Sequence, residues 1–163
     1  MIGYYADPEE TSKALKGGWL HTGDYGFFDE EGFLYISGRK KNVIVTKNGK
    51  NIFPEEVEFY LIQSPYILEA LVHGIDDEKS GDTIVKAEIF PDYEYIAEER
   101  GELTARETEL LIKAEIDAAN EQMPLYKRVK RFGLRKTEFS KTTTRKIKRY
   151  TTENYGEEEN RED

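Results

Sequence analysis

The sequence predicts an α+β fold: a small domain with a two-stranded hairpin and a three-stranded, mainly antiparallel sheet, flanked by helices. Three observations point there. Leu68 to Ile75 and Thr83 to Phe90 are apolar-rich runs of strand length, suited to antiparallel pairing. Val43-Ile44-Val45 leads through Asn48-Gly49 to Ile52, which is hairpin chemistry with a two-residue turn. Thr104-Ala105-Arg106-Glu107 is a capping box, and Ile112, Ile116, Ala119 and Met123 follow it at helical spacing.

The remaining elements follow in chain order. Asp7-Pro8-Glu9-Glu10 reads as a helix start: Asp7 caps, Pro8 suits the first turn and Glu10 completes a capping box. That helix is expected to end near Gly17-Gly18. Phe27-Phe28 and Phe33-Leu34-Tyr35-Ile36 flank Asp29-Glu30-Glu31-Gly32, a second hairpin. Pro54-Glu55-Glu56 opens a helix with acids near its positive end, and Val57, Tyr60 and Leu61 form its apolar stripe. Met123-Pro124 ends the long helix. From Lys127 the pattern is short strands and loops, finishing with a short helical turn around Lys146. Residues 151–163 are expected to be an acidic disordered tail, because the run from Gly156 has nothing to bury. A domain boundary is expected at Ser37-Gly38-Arg39, giving segments 1–37, 38–150 and 151–163.

Composition narrows the function classes. The 163 residues carry a net charge of −9, which argues against nucleic-acid binding by the whole surface. The charge is uneven: Lys127 to Arg149 holds 11 Lys/Arg against one acid, Glu138, so this stretch carries +10 and the remainder −19. A basic strip on an acidic body suits a small polyanion or an anionic membrane face. With no Cys and two His, neither thiol chemistry nor a transition-metal cluster is expected. No apolar run approaches the ~18 residues of a membrane span. The start, Met1-Ile2-Gly3-Tyr4-Tyr5-Ala6-Asp7, lacks the pattern of a signal peptide, so a cytoplasmic protein is expected.

Two short stretches carry the chemistry. The first is Gly18-Trp19-Leu20-His21-Thr22-Gly23-Asp24, followed by Gly38-Arg39-Lys40-Lys41-Asn42. Asp24 sits in a tight turn after an aromatic anchor, Trp19, and a carboxylate there can accept from both hydroxyls of a ribose. An arginine fork such as Arg39 suits ribose and phosphate oxygens. The second stretch is Ser140-Lys141-Thr142-Thr143-Thr144-Arg145-Lys146-Ile147-Lys148-Arg149. Taken alone, Thr22-Gly23-Asp24 is an ordinary turn, Arg39-Lys40-Lys41 a solvated loop and Lys146 a surface lysine. Together, in this order and spacing, they resemble the C-terminal portion of the acyl-adenylate-forming enzymes. Lys41, Lys47-Asn48-Gly49-Lys50-Asn51 and the Lys146 stretch look most like the long-chain fatty acyl-CoA synthetase branch.

That resemblance implies a set of roles. The chain would be the end of a larger enzyme, with residues 1–37 from the edge of a missing large domain and 38–150 its mobile lid. Asp24 and Arg39 would hold the adenylate. Lys41 would be the hinge. Lys146 would be the catalytic lysine of adenylation, in a motif resembling Pro-x-Thr-x-x-Gly-Lys-Ile-x-Arg. The match holds at Thr142, Lys146, Ile147 and Arg149 and departs at Ser140 for Pro and Arg145 for Gly. Since a position needing φ > 0 strains an arginine, a different local backbone is expected there. Gly49 would line the path of CoA, where a glycine lets backbone approach a thin pantetheine arm, with Lys47 and Lys50 flanking it. Some relatives carry a basic residue where this chain has Val45. Tyr126-Lys127 is a structural marker, and His73 is a packed strand residue. The implied reaction takes a fatty acid, ATP with Mg²⁺, and CoA to acyl-CoA, AMP and pyrophosphate; no protein metal site is implied. The rivals are transfer to a carrier protein and a noncatalytic anion- or partner-binding module. The fragment alone is expected to be inactive.

Overall fold

The structure, a computed structural model, describes residues 1–78 and 81–155. It divides into two units, Met1–Val43 and Ile44–Asp163, so the division falls six residues after the sequence-based boundary.

In the first unit, α1 (Pro8–Ala14) begins as expected: Asp7 accepts from the Glu10 N–H at 2.9 Å, with Pro8 in the first turn. The reciprocal half of the capping box does not form, because the Glu10 carboxylate pairs with Lys13 at 2.7 Å. The helix stops three residues early. Gly17-Gly18 is instead the tight turn between β1 (Leu15–Lys16) and β2 (Trp19–Leu20). Both glycines have positive φ, +58° and +82°, the conformation a two-residue hairpin turn demands. The Phe-rich hairpin is β3 (Asp24–Phe28) against β4 (Leu34–Arg39), antiparallel, with a bulge at Tyr25/Gly26. Asp29 organises its loop by accepting from the Glu31 and Phe33 N–H groups.

In the second unit, β5 (Ile44–Val45) pairs with β6 (Asn51–Ile52), and α2 (Pro54–Leu61) follows. Then come β7 (Ile67–Asp76) and β8 (Thr83–Pro91), antiparallel over their full length. Next are α3 (Tyr93–Arg100) and α4 (Ala105–Glu121), and then β9 (Val129–Leu134). The three-stranded sheet has order β7-β8-β9, and β9 joins β8 in parallel. A parallel neighbour needs a long crossover, which α3 and α4 supply. α4 carries the expected capping box at Thr104 and Glu107. Its C-terminal end grips β9, because the Asn120 side chain donates to the Val129 carbonyl and accepts from its N–H.

One face of the sheet packs Val72, Val85, Ala87 and Ile89 against α2 (Val57, Leu61) and α4 (Ile112, Ile116). Each fully buried Ile or Leu is worth roughly 1.5–3 kcal/mol. The other face bears Glu88, 1% exposed, with Lys86 at 3.0 Å and His73 at 3.5 Å. Burial alone would push the Glu88 carboxyl up, but hydrogen bonds from His73 and Lys86 outweigh it, holding it below its ordinary value. The C-terminal segment covers this face: Tyr155 stands edge-on to the His73 ring at 4.7 Å, and Phe139 is buried. Residues 151–155 are therefore part of the fold and not of a tail, and Asn154 is completely buried. Residues 156–163 lie outside the described residues.

Candidate functional site

In the first unit, Asp24 and Arg39 are cross-strand partners in the β3–β4 register. The Arg39 guanidinium reaches the Asp24 carboxylate at 2.9 Å and donates to the Thr22 carbonyl at 3.1 Å. The turn is closed by Asp24 N–H to Thr22 Oγ1 and Lys40 N–H to the Gly23 carbonyl at 2.8 Å. An acceptor and a fork donor thus sit side by side at the mouth of one hairpin, a pairing suited to a sugar diol and an adjacent anion. Trp19 is no anchor within this unit, being 77% exposed. Lys41 lies in the 3-10 turn Lys40–Asn42, just before the division between units.

The second unit contains two loops of one design. In the first, Thr46 N–H donates to the Lys50 carbonyl at 3.0 Å and Gly49 N–H to the Thr46 carbonyl at 2.9 Å. Lys50 N–H donates to Thr46 Oγ1 at 3.2 Å. In the second, Thr142 N–H donates to the Lys146 carbonyl at 2.8 Å and Arg145 N–H to the Thr142 carbonyl at 2.9 Å. Lys146 N–H donates to Thr142 Oγ1 at 3.2 Å. Each is a three-residue loop whose last residue is left-handed, Gly49 at φ +70° and Arg145 at +61°, and each delivers a lysine next.

This corrects two expectations. Lys146 ends a hairpin loop, not a helical turn, and the loop at Asn48-Gly49 has three residues, not two. It also corrects a third: the Gly-to-Arg departure leaves the backbone left-handed, with arginine bearing the strain. That conformation costs a non-glycine residue about 1–2 kcal/mol, while a glycine loses more entropy on folding. Arg145→Gly is therefore expected to stabilise this chain by about 0.5–1 kcal/mol in urea unfolding. A loss of stability would mean that the Arg145 side chain holds contacts worth more than the strain.

The two loops are anchored to different parts of the β7–β8 hairpin. Asp82, in the turn after β7, accepts from the Lys47 N–H at 2.8 Å. At the other loop, Phe139 N–H reaches Glu69, and Arg149 donates to the Val72 carbonyl at 3.2 Å and pairs with Glu58. These anchors, Asp82, Glu69 and Glu58, were not singled out in the sequence; acids far away in the chain carry no local signal.

Part of the basic strip is spent on internal pairs. Lys127 meets Glu56 at 2.6 Å, Arg131 meets Asp77 at 2.7 Å, and Lys141 meets Glu69 and Glu138. Lys146 forms no ion pair among the described residues and stands exposed. Beside the Gly49 loop lies a cavity of about 150 Å³, lined among others by Asn48, Lys50, Tyr126, Arg128 and Lys130. Of the two lysines expected to flank the CoA path, Lys50 lines this cavity and Lys47 turns its ammonium toward Gly81. No group of three or more His, Cys, Asp or Glu placed to hold a metal exists among the described residues.

Comparison with known proteins accords with these features. A family model, the AMP-binding enzyme C-terminal domain, matches residues 41–159. The chain is 49% identical over 84 residues to a long-chain-fatty-acid–CoA ligase of Bacillus subtilis (strain 168), covering 52% of this chain and 15% of that protein. It is 46% identical over 79 residues to a 2-succinylbenzoate–CoA ligase of Geobacillus sp. (strain WCH70), covering 48% and 16%. The chain thus spans about one sixth of the curated relatives it matches. Among solved structures, an anthranilate CoA ligase in complex with anthranoyl-AMP superposes with TM-score 0.71 at 32% identity, covering 90% of this chain and 26% of that one. An o-succinylbenzoate CoA synthetase from Bacillus subtilis, in complex with ATP and magnesium ion, superposes with TM-score 0.67 at 27% identity, covering 90% and 27%.

Proposed function

This chain belongs to the AMP-binding enzyme C-terminal domain family, and from that premise we propose that it is the C-terminal part of an AMP-forming acid–thiol ligase. Its parent would be a cytoplasmic enzyme whose large domain supplies the acid pocket and the rest of the nucleotide site. The proposed reaction takes a fatty acid, ATP with Mg²⁺, and CoA to acyl-CoA, AMP and pyrophosphate.

The observation that carries this reading is Lys146. It stands exposed, with no ion pair among the described residues, on a hairpin fixed by its own backbone. Adenylation joins a carboxylate to a phosphate, so negative charge gathers in the transition state. A positioned ammonium stabilises that charge. Asp24 would accept from the ribose hydroxyls while Arg39, paired to it, orients the carboxylate and faces the phosphate side. Magnesium would travel with the nucleotide's phosphates. Gly49, Lys50 and the cations around the cavity would receive CoA, with Lys47 seating their loop on Asp82.

The two loops are anchored to different parts of one rigid strand pair. Presenting both to one active site therefore calls for a rotation, and Lys41, next to the division between units, is the proposed hinge. The lid would offer Lys146 for adenylation and then the Gly49 loop for thioester formation.

Similarity to the long-chain-fatty-acid–CoA ligase supports a fatty acid as substrate. Similarity to the 2-succinylbenzoate–CoA ligases favours, as a second reading, an aromatic carboxylic acid. The test is thioester formation by the full-length parent with fatty and aromatic acids, ATP, and CoA supplied or withheld. CoA-dependent acyl-CoA from fatty acids is the expected result. Product from aromatic acids alone would establish the second reading. Adenylate without CoA product would move the acceptor to a carrier protein, and no adenylate from any acid would overturn the ligase reading.

A further inference from the structure

The Lys146 hairpin is strained at its tip and clasped at its base, and the clasp lies outside the motif. Asn154, completely buried, reaches both strands of the base. Its amide nitrogen donates to the Ser140 carbonyl at 3.1 Å and to the Lys148 carbonyl at 2.8 Å. Its oxygen accepts from the Ser140 N–H at 2.8 Å. These bonds flank the hairpin's own closures, Lys148 N–H to the Ser140 carbonyl at 2.9 Å and the Lys141–Ile147 bridge. Asn154 is itself held, its N–H bonded to the Thr151 carbonyl at 3.0 Å. The adjoining Glu153 accepts from Ser140 Oγ at 2.9 Å and, through its carbonyl, from Arg135 at 2.9 Å.

Two departures from the motif meet here. Arg145 stands where the motif has glycine, and it puts strain into the loop. Ser140 stands where the motif has proline. A proline has no N–H, so it could not give Asn154 the third bond. We propose that Asn154 is a positioning residue for adenylation: its side chain clasps Ser140 to Lys148 and holds Lys146 in place against the left-handed strain at Arg145. The inference rests on the reading of Lys146 as the adenylation lysine.

Replacing the buried asparagine by alanine strips the Ser140 N–H of its partner and removes one donor each from the Ser140 and Lys148 carbonyls, so some loss of stability is expected from any role. The half-reactions separate the roles. Displacing a catalytic group by about 1 Å can cost ~10²-fold in rate. In the full-length parent, Asn154→Ala is expected to slow acyl-adenylate formation by roughly 10–100-fold. Thioester formation from supplied acyl-adenylate and CoA should stay within about two-fold, because it does not use Lys146. Adding Arg145→Gly removes the strain, so the Asn154→Ala/Arg145→Gly double variant should regain most of the adenylation rate; it also serves where the single variant folds poorly. The proposal is overturned if Asn154→Ala leaves adenylation unchanged, if both half-reactions fall together, or if Arg145→Gly restores nothing. Lys146→Ala is measured alongside: unimpaired adenylation in that variant would overturn the Lys146 reading itself, and the inference with it.

Discussion

Lys146→Ala in the full-length parent is expected to slow acyl-adenylate formation by about 10²–10³-fold and to leave thioester formation from supplied adenylate intact. The magnitude follows from what the ammonium does. It contributes one preorganised charge where two anions react, and losing one such electrostatic partner typically costs ~3–4 kcal/mol. The selectivity follows from the fold. Lys146 and Gly49 lie on separate loops anchored to different parts of the β7–β8 hairpin, through Glu69 and Val72 of β7 for one and Asp82 of the connecting turn for the other. Truncating a lysine that makes no ion pair among the described residues breaks no pair of the fold, so unfolding behaviour should be unchanged. Pyrophosphate release reads the first half-reaction and acyl-CoA formation from adenylate reads the second. Equal losses in both would remove the division of labour between the loops. A loss below about five-fold in the first would demote Lys146 to a surface lysine.

What the sequence disclosed was local. The capping box at Thr104, the β3–β4 and β5–β6 hairpins and the β7–β8 pair are written in neighbouring residues, and each formed. Asp24 and Arg39 were singled out separately; their pairing follows from a β3–β4 register that reaches beyond the aromatic runs that marked the hairpin. α3 went unread because of its nearly even polarity: only Ile96 is buried, and the one cue is Asp92 capping the Tyr95 N–H. The parallel seat of β9 depends on a crossover and leaves no local trace. The basic strip misled for the same reason. Its partners lie far away in sequence, Lys127 with Glu56, Arg131 with Asp77 and Arg149 with Glu58, so a run of charge that read as open to a polyanion is in part paired within the fold. Asn154 was hidden in a polar run, Thr151-Thr152-Glu153-Asn154, that composition reads as tail. Its burial is decided by the carbonyls of Ser140 and Lys148, which no side-chain pattern reveals.

Arg149→Met should destabilise the second unit strongly, by about 3 kcal/mol. Arg149 pairs with Glu58, approaches Glu55 at 3.8 Å and donates to the Val72 carbonyl. Its side chain is 17% exposed and that of Glu58 15%, so solvent cannot replace the lost partner. The variant strands a carboxylate on α2 whose only other described bond is from the Val72 N–H at 2.7 Å. For a chain of this size the loss corresponds to roughly 6–12 °C in Tm. The pH dependence identifies the cause. Burial pushes the Glu58 carboxyl above its ordinary value even with Arg149 present, and Arg149 pulls it back only in part. Without the guanidinium it rises further. A carboxyl with a raised folded-state pKa favours the fold when protonated; that contribution is present below the unfolded pKa and lost as pH rises through the folded one. The deficit of Arg149→Met against wild type should therefore be full at neutral pH and shrink as pH falls through the raised Glu58 value. Adding Glu58→Gln, which keeps an acceptor for Val72, should recover part of the loss at neutral pH and abolish the pH dependence. A deficit constant down to pH ~4 would assign the effect to the Val72 carbonyl bond instead. Because Arg149 lies three residues beyond Lys146, just past the returning limb of its hairpin, the same pair also ties that limb to α2.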